Sequence, residues 1–404
     1  MAGSSTPTGL PASQTNSDYE WVLEFCNFKT AWALPPIPGG KSKGEGIVIA
    51  HPDVGYTEHP EILKGQRLLI DEGMNFVDEP GSPPKDFLLG SLLSGDFPAH
   101  GTKTASVIMS AEGHPFNDPP FDPELDEFLS FDYNETGHVT GVAPLAKLVP
   151  YKVSLSVALD DTSDSNIAFS IYHAIGLQSK HDLGVMSISM GRPELSIEDN
   201  IRRALVAAKE KGIVVCAAAG QIAEFATPAE WFSPAFPGSD PNTICVAACN
   251  YRHEKLAGAF YGDTVDITTP GINVWHALPQ RLAPMSLVVL YSVNGAGTGT
   301  SYAAAITAGA CALWQAHWGR KWLVDTFTEE LIFDLFKIAL ICSADTLNDT
   351  WDTANRGAGA LDAKALLNVD LRKLSQAKVR KLSTQNLKTL TTAERLAKLA
   401  EPDE

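Results

Sequence analysis

The chain has 404 residues, a formal net charge of -17, 44% hydrophobic residues and 20% charged residues. That composition describes a globular protein with apolar material for a sizeable core. The negative balance argues against nucleic acid as a main partner, because phosphate repels such a surface, and no apolar run is long enough to predict a membrane span.

The N-terminal stretch "MAGSSTPTGLPASQTNSDYEW" lacks the basic start and apolar run of a secretory signal, so a cytoplasmic location is the expectation. Residues 1–18 are rich in Ser, Thr, Pro and Gly and read as a disordered tail. From "GIVIA" (Gly46 to Ala50) onward, short apolar runs alternate with helical patterns. "AKLVPYKVS" (Ala146 to Ser154) reads as a strand, and Ser163 to Lys180 as a helix with Ser163 or Asp164 as its N-cap. "GVMSISMG" (Gly184 to Gly191) is the next strand. A helix then runs from about Ile197 to Lys211, with Ser196 as its cap and Gly212 as its stop. "IVVCAAAG" (Ile213 to Gly220) follows as a strand with successive, not alternating, apolar residues.

Strands of that kind are buried on both faces. The β-α-β-α order therefore predicts an α/β fold, a doubly wound and mostly parallel sheet with helices on both faces. One domain is expected over 19–370, carrying an acidic, Pro-rich surface insertion at about 112–137. The remainder, 371–404, is basic and has the leucine spacing of an amphipathic helix. Such a tail could lie on the acidic body or join a larger assembly, and a solvated helix is the preferred reading. Cys26, Cys216, Cys245, Cys249, Cys311 and Cys342 lack CxxC spacing and sit mostly in apolar runs. They read as buried free thiols in a reducing compartment.

The stretch "GAGTGTSYAAAITAG" (Gly295 to Gly309) passes from glycines straight into small helix formers. It has no lysine before Ser301 for a Walker loop, and Thr300 stands where a dinucleotide fingerprint needs glycine. A nucleophilic serine at a helix start is the stronger reading, and it needs a base and an orienting acid. His100, in "FPAHGTKTASVIMS", precedes a small-residue helix. Asp53, in "GIVIAHPDVGYTEHPEI", follows a buried strand, at the end where open α/β sheets bind ligands.

Together these motifs resemble the signatures of the subtilisin-like serine proteases, the subtilases. Asp53-Val-Gly55 is similar to that family's Asp-Ser/Thr-Gly, His100-Gly-Thr102 to its His-Gly-Thr, and Gly299-Thr-Ser301 to its Gly-Thr-Ser-Met-Ala. "GVAPLAKLVPYKV", "SISMG", "FSPAFPGSDPNTICVAA", "TPGINVWHA" and "GAGALDAKALL" extend the likeness in order from about Gly46 to Leu367. The resemblance implies a serine endopeptidase acting on protein or peptide substrates. Ser301 would be its nucleophile, His100 the general base and Asp53 the residue that orients the imidazole. It also implies an oxyanion site from Ser301 and Gln221, with Ser189, Met190 and Gly191 on one side of the substrate pocket and Ala218, Ala219 and Gly220 on the other. Those small and apolar residues suggest an uncharged P1 side chain.

The chain departs from the family at several points. Gln221 stands at the oxyanion asparagine position, Val54 replaces a hydroxyl residue, and Ala305 stands where proline is usual. About 45 residues precede the Asp53 strand, which suggests no separate pro-domain. Ser233-Pro234 falls near a position where the family can carry a cis peptide, with trans as the default. No cofactor is expected. Family members often bind calcium, but no calcium ligand run is present and no metal site is predicted. The competing expectation, motivated by Gln221 and Val54, is an inactive pseudoprotease that binds peptides.

Overall fold

The computed structural model describes residues 18–88, 97–113, 137–193, 199–222, 233–281, 289–346 and 351–401. Strand β1 (Ile47–Asp53) sets the plan of the molecule. Its alternate side chains serve two separate cores, Ile47 and Ile49 on one face and Val48 and Ala50 on the other. An unbroken apolar run is what a strand covered on both sides requires.

The chain continues through β2 (Met74–Asn75), β3 (Lys147–Lys152), β4 (Asp182–Ile188), β5 (Val214–Ala218), β6 (Thr243–Cys249) and β7 (Ile267–Pro270). These form one sheet in the order β2-β3-β1-β4-β5-β6-β7, with every neighbouring pair parallel. Strand β1 lies between β3 and β4, where the winding changes direction, so its carboxyl end opens into the crevice of the fold. An antiparallel hairpin, β8 (Val274–Arg281) and β9 (Val289–Gly297), stands apart from the sheet.

The helices α1 (His100–Met109), α2 (Asp161–Leu177), α3 (Asp199–Glu210), α4 (Thr300–Trp318) and α5 (Ile332–Ser343) build the layers. Ile167 and Ile171 of α2 and Leu205 of α3 cover the Val48 face. Ile108 of α1 and the length of α4 cover the Ile49 face. The doubly wound α/β expectation therefore holds. Three local details bear on the sequence reading. Asp160, not Ser163 or Asp164, caps α2, its Oδ1 accepting the Ser163 N–H at 2.8 Å. Gly212 follows α3 with φ +63°, as a helix stop, but Ser196 lies outside the described residues. Among the described residues the cis peptide bond is Phe236-Pro237, three residues beyond Ser233-Pro234, which keeps the default trans form.

The basic C-terminal segment is not a solvated helix. Its helices α6 (Gln376–Ser383) and α7 (Thr392–Ala400) fold back on the body, and Val379, Leu382 and Leu387 join the same core as α4 and α5. Arg395 is fully buried and donates to four carbonyls, those of Leu387, Lys388, Ile341 and Ala358, at 2.8–3.0 Å. Lys388 reaches buried Asp266 at 3.6 Å and the Val265 carbonyl at 2.8 Å. The apolar stripe was readable in the sequence, but its partner surface on α5 was not.

Most of the acidic stretch at about 112–137 lies outside the described residues. Its flanks are fastened, because the Lys64 ammonium donates to the Gly113 carbonyl at 2.7 Å and the Val139 carbonyl at 3.0 Å. Lys64 is itself paired with buried Glu61 at 2.5 Å. No helix among the described residues is long and apolar enough to cross a membrane.

Candidate active site

Asp53 ends β1 and is completely buried. Its Oδ1 accepts the Val54 N–H at 2.8 Å and faces His100 Nδ1 at 2.8 Å; Oδ2 lies 3.0 Å from the same nitrogen. Burial alone would push this carboxyl up. The charge and hydrogen bond of His100, with smaller contributions from His51 and the Val54 N–H, outweigh burial and hold it below the ordinary carboxylate value.

The sequence around each partner explains how they meet. Gly55 turns the chain with φ +96°, a conformation natural to glycine. Gly101 allows α1 to approach that turn, since a Cβ there would fall 2.1 Å from the Gly55 carbonyl oxygen. Thr102 clamps the approach, its Oγ1 accepting the Thr57 N–H at 2.8 Å and donating to the Thr57 carbonyl at 2.9 Å. Asp-x-Gly and His-Gly-Thr are thus two halves of one joint. Ala99 enters α1 at φ +62°, and the Asp86 carboxylate accepts its N–H at 2.6 Å. Burial pushes the Asp86 carboxyl up, against the backbone bonds it receives.

Ser301 occupies the first turn of α4, and every other residue of that helix is buried. A helix that is apolar all round belongs in a core, so one accessible serine at its tip is the exception. The Ser301 hydroxyl donates to the Ser189 carbonyl at 2.8 Å, and the Ser189 hydroxyl donates to the Ser301 carbonyl at 3.0 Å. The Ser301 N–H has no acceptor among the described residues, as the first turn of a helix allows. Gln221 Oε1 accepts the Thr300 N–H at 2.8 Å, and a Cβ on Gly299 would stand 3.3 Å from that oxygen. The planar amide therefore turns its NH₂ away from the Thr300 N–H, and the longer side chain is held by its carbonyl.

The hairpin that delivers Ser301 is tied to the helix of His100. Ser106 of α1 accepts the Ala277 N–H of β8 at 2.9 Å. The buried His276 ring lies 5.2 Å from that of Tyr302, and its pKa falls to about 4 through burial, with smaller contributions from Lys103 and His100.

The remaining expected pocket residues divide. Ser189 borders Ser301 directly, and Gly191 pairs with Ala158 at the strand end. Met190 packs into the Val48-side core, Ala218 into the Ile49-side core, and Ala219 against Cys245, Ala247 and Val265. Their side chains pack into the cores on either side of the sheet, which leaves their backbone as the part nearest the crevice. Gly220, at φ +90°, lies where a Cβ would meet Ala235 Cβ at 2.8 Å, so it too lends its backbone. Residues 223–232, which follow Gln221, lie outside the described residues.

The sequence reading missed His51, Thr104, Asp86 and His276. His51 had a visible signal, a lone imidazole inside an otherwise apolar strand, two residues before Asp53.

The subtilase family profile matches residues 45–359. The chain belongs to the subtilase family. Subtilisin Savinase of Lederbergia lenta is 27% identical over 270 residues, which cover 67% of this chain and 76% of that protein. M-protease of Shouchella clausii is 26% identical over 265 residues, 66% of this chain and 54% of its own length. The chain thus spans about half of M-protease. A protease structure from Pseudoalteromonas arctica PAMC 21717 superposes with a TM-score of 0.61 at 22% identity, covering 85% of this subtilase and 93% of that chain.

Proposed function

We propose that this subtilase is a working serine endopeptidase in which Asp53, His100 and Ser301 form the triad. The reading rests on the buried, hydrogen-bonded Asp53–His100 pair at the carboxyl end of β1, together with Ser301 as the one residue of α4 that is not buried. With Nδ1–H donated to the Asp53 carboxylate, His100 presents Nε2 as the basic nitrogen. The Ser301 hydroxyl turns from the Ser189 carbonyl to His100, gives up its proton and attacks the substrate carbonyl. The Ser301 N–H and the Gln221 NH₂ receive the developing oxyanion at the N-terminus of α4, where the helix dipole favours negative charge. His100 then protonates the leaving amine, and water releases the acyl group by the same steps in reverse roles.

The substrate is a peptide in extended form, paired with the backbone of Ser189 to Gly191. Six free, buried cysteines support a reducing, cytoplasmic setting. The test is labelling by a fluorophosphonate, together with cleavage of a peptide library, comparing the native chain with Ser301→Ala. Labelling and cleavage confined to the native chain are expected. Equal labelling of both, or no cleavage by either, overturns the reading.

A further inference from the structure

Val54 offers no hydroxyl to Asp53, and the acid's Oδ1 already takes the Val54 N–H and lies against His100 Nδ1. The other oxygen, Oδ2, shares His100 Nδ1 at 3.0 Å and retains lone-pair capacity inside a fully buried site. Two polar side chains approach it. Thr104 Oγ1 lies 3.5 Å from Oδ2, His51 Nε2 lies 3.9 Å from it, and the two lie 3.0 Å from each other.

Elementary spacing brings them there. His51 is two residues before Asp53 on a strand, so both side chains share one face. Thr104 is four residues after His100 on a helix, so both lie along one side. Packing α1 against β1 joins these pairs into one cluster of four. The bland role for Thr104 is local, because its hydroxyl also lies 3.0 Å from the His100 carbonyl and 3.3 Å from that of Gly101. Charge decides between the roles: of these three acceptors only Asp53 Oδ2 is ionised, and a charged acceptor draws the hydroxyl proton more strongly than a carbonyl. A buried neutral His51 beside a carboxylate is most stable with its N–H on the nitrogen nearer the negative charge. That tautomer donates from Nε2 to Thr104 Oγ1 and leaves the threonine proton to be given away.

We propose that His51 and Thr104 are positioning residues for Asp53, with His51 Nε2–H donating to the Thr104 hydroxyl and that hydroxyl donating to Asp53 Oδ2. The carboxylate is then held from strand and helix at once, replacing the support that position 54 does not give. The catalytic consequence rests on the triad reading above, whereas the hydrogen-bond chain does not.

The experiment reads both levels. In Ser301→Ala protein labelled with ¹⁵N-histidine, the Nδ1–H resonance of His100 reports its bond to Asp53 without any turnover. His51→Phe and Thr104→Val each shift that resonance upfield and speed its exchange with water, while Thr104→Ser leaves it in place. With Ser301 intact, either variant lowers kcat about 10-fold at unchanged KM, the scale of one hydrogen bond to a charged group. The double variant loses no more than one of the singles. Thr104→Val is nearly isosteric and carries the test should His51→Phe fail to fold. An unmoved resonance and unchanged kcat in Thr104→Val, whatever its melting temperature, overturn the proposal. A moved resonance in a chain whose native form cleaves no peptide leaves the positioning intact and removes the catalytic reading instead.

Discussion

Two buried polar clusters in this protein are built on opposite principles. At the crevice, Asp53 and His100 are joined to each other, yet capacity remains: His100 keeps a second ring nitrogen, and the Ser301 N–H has no acceptor among the described residues. At the C-terminal segment, Arg395 directs its guanidinium at four carbonyls and Lys388 binds Asp266 and two backbone oxygens. In the second cluster the cationic side chains are spent on backbone carbonyls and on Asp266, whose Oδ1 keeps only a 3.6 Å charge contact with Lys388, and the cluster serves to hold the chain together. The first is left partly unsatisfied, which costs stability but leaves groups for a reacting substrate.

The comparison breaks most sharply at Ser301. Ser301→Ala should lower kcat by about 10⁴-fold or more while leaving the thermal melt within a few degrees. An equal loss of stability and activity would mean that the crevice is built like the tail. Arg395→Met should do the reverse. Four carbonyls lose their donor, so a loss of about 3–5 kcal/mol is expected in urea unfolding, with KM and kcat of the remaining folded protein unchanged.

Gln221→Ala sharpens the first half. Removing one oxyanion donor is expected to reduce kcat about 10²–10³-fold with little change in KM. Gln221→Asn should not restore full activity, because the shorter amide cannot both accept the Thr300 N–H and reach the oxyanion from this backbone position.

Acid distinguishes the clusters next. Burial lowers the pKa of His51 from 6.5 to about 4 and that of His59 to about 3, so each is neutral in the folded chain where the unfolded chain binds a proton. Stability is therefore fully present above pH 6.5 and falls as pH drops toward 4. Asp53, held below its ordinary value, adds a contribution that is lost only at lower pH still, as its carboxylate protonates. Melting curves between pH 7 and pH 4 should show this decline, and His51→Phe should flatten it. The smallest effect is expected at the Arg380–Glu330 pair, 3.7 Å apart on the surface: Arg380→Ala should leave the melt unchanged within error.

How much of this was legible in sequence depends on how far each interaction reaches. The strand of Val214 to Ala218 was readable because its unbroken apolar run is a local signature of burial on two faces. Asp53-x-Gly55, His100-Gly-Thr102 and Gly299-Thr-Ser301 were readable because each is a short motif with a backbone requirement at the glycine or a clamp at the threonine. Met190, Ala218 and Ala219 were readable only as apolar residues near a site, a property shared by pocket walls and by close-packed sheet interiors, and their packing into the cores is a tertiary result.

The sequence by itself determined the layered α/β plan and singled out Asp53, His100 and Ser301 as the proposed triad, because periodicity and tight turns act over a few residues. Tertiary structure alone decided that Gln221 is held by the Thr300 N–H, that Thr104 meets His51, and that the basic tail is an internal brace. Those pairings join positions 79, 53 and, between Arg395 and Ile341, 54 residues apart, and no local pattern encodes which distant carbonyl or hydroxyl will complete a buried group's bonds. Burial makes those bonds obligatory, but only the packing of strands against helices chooses the partner.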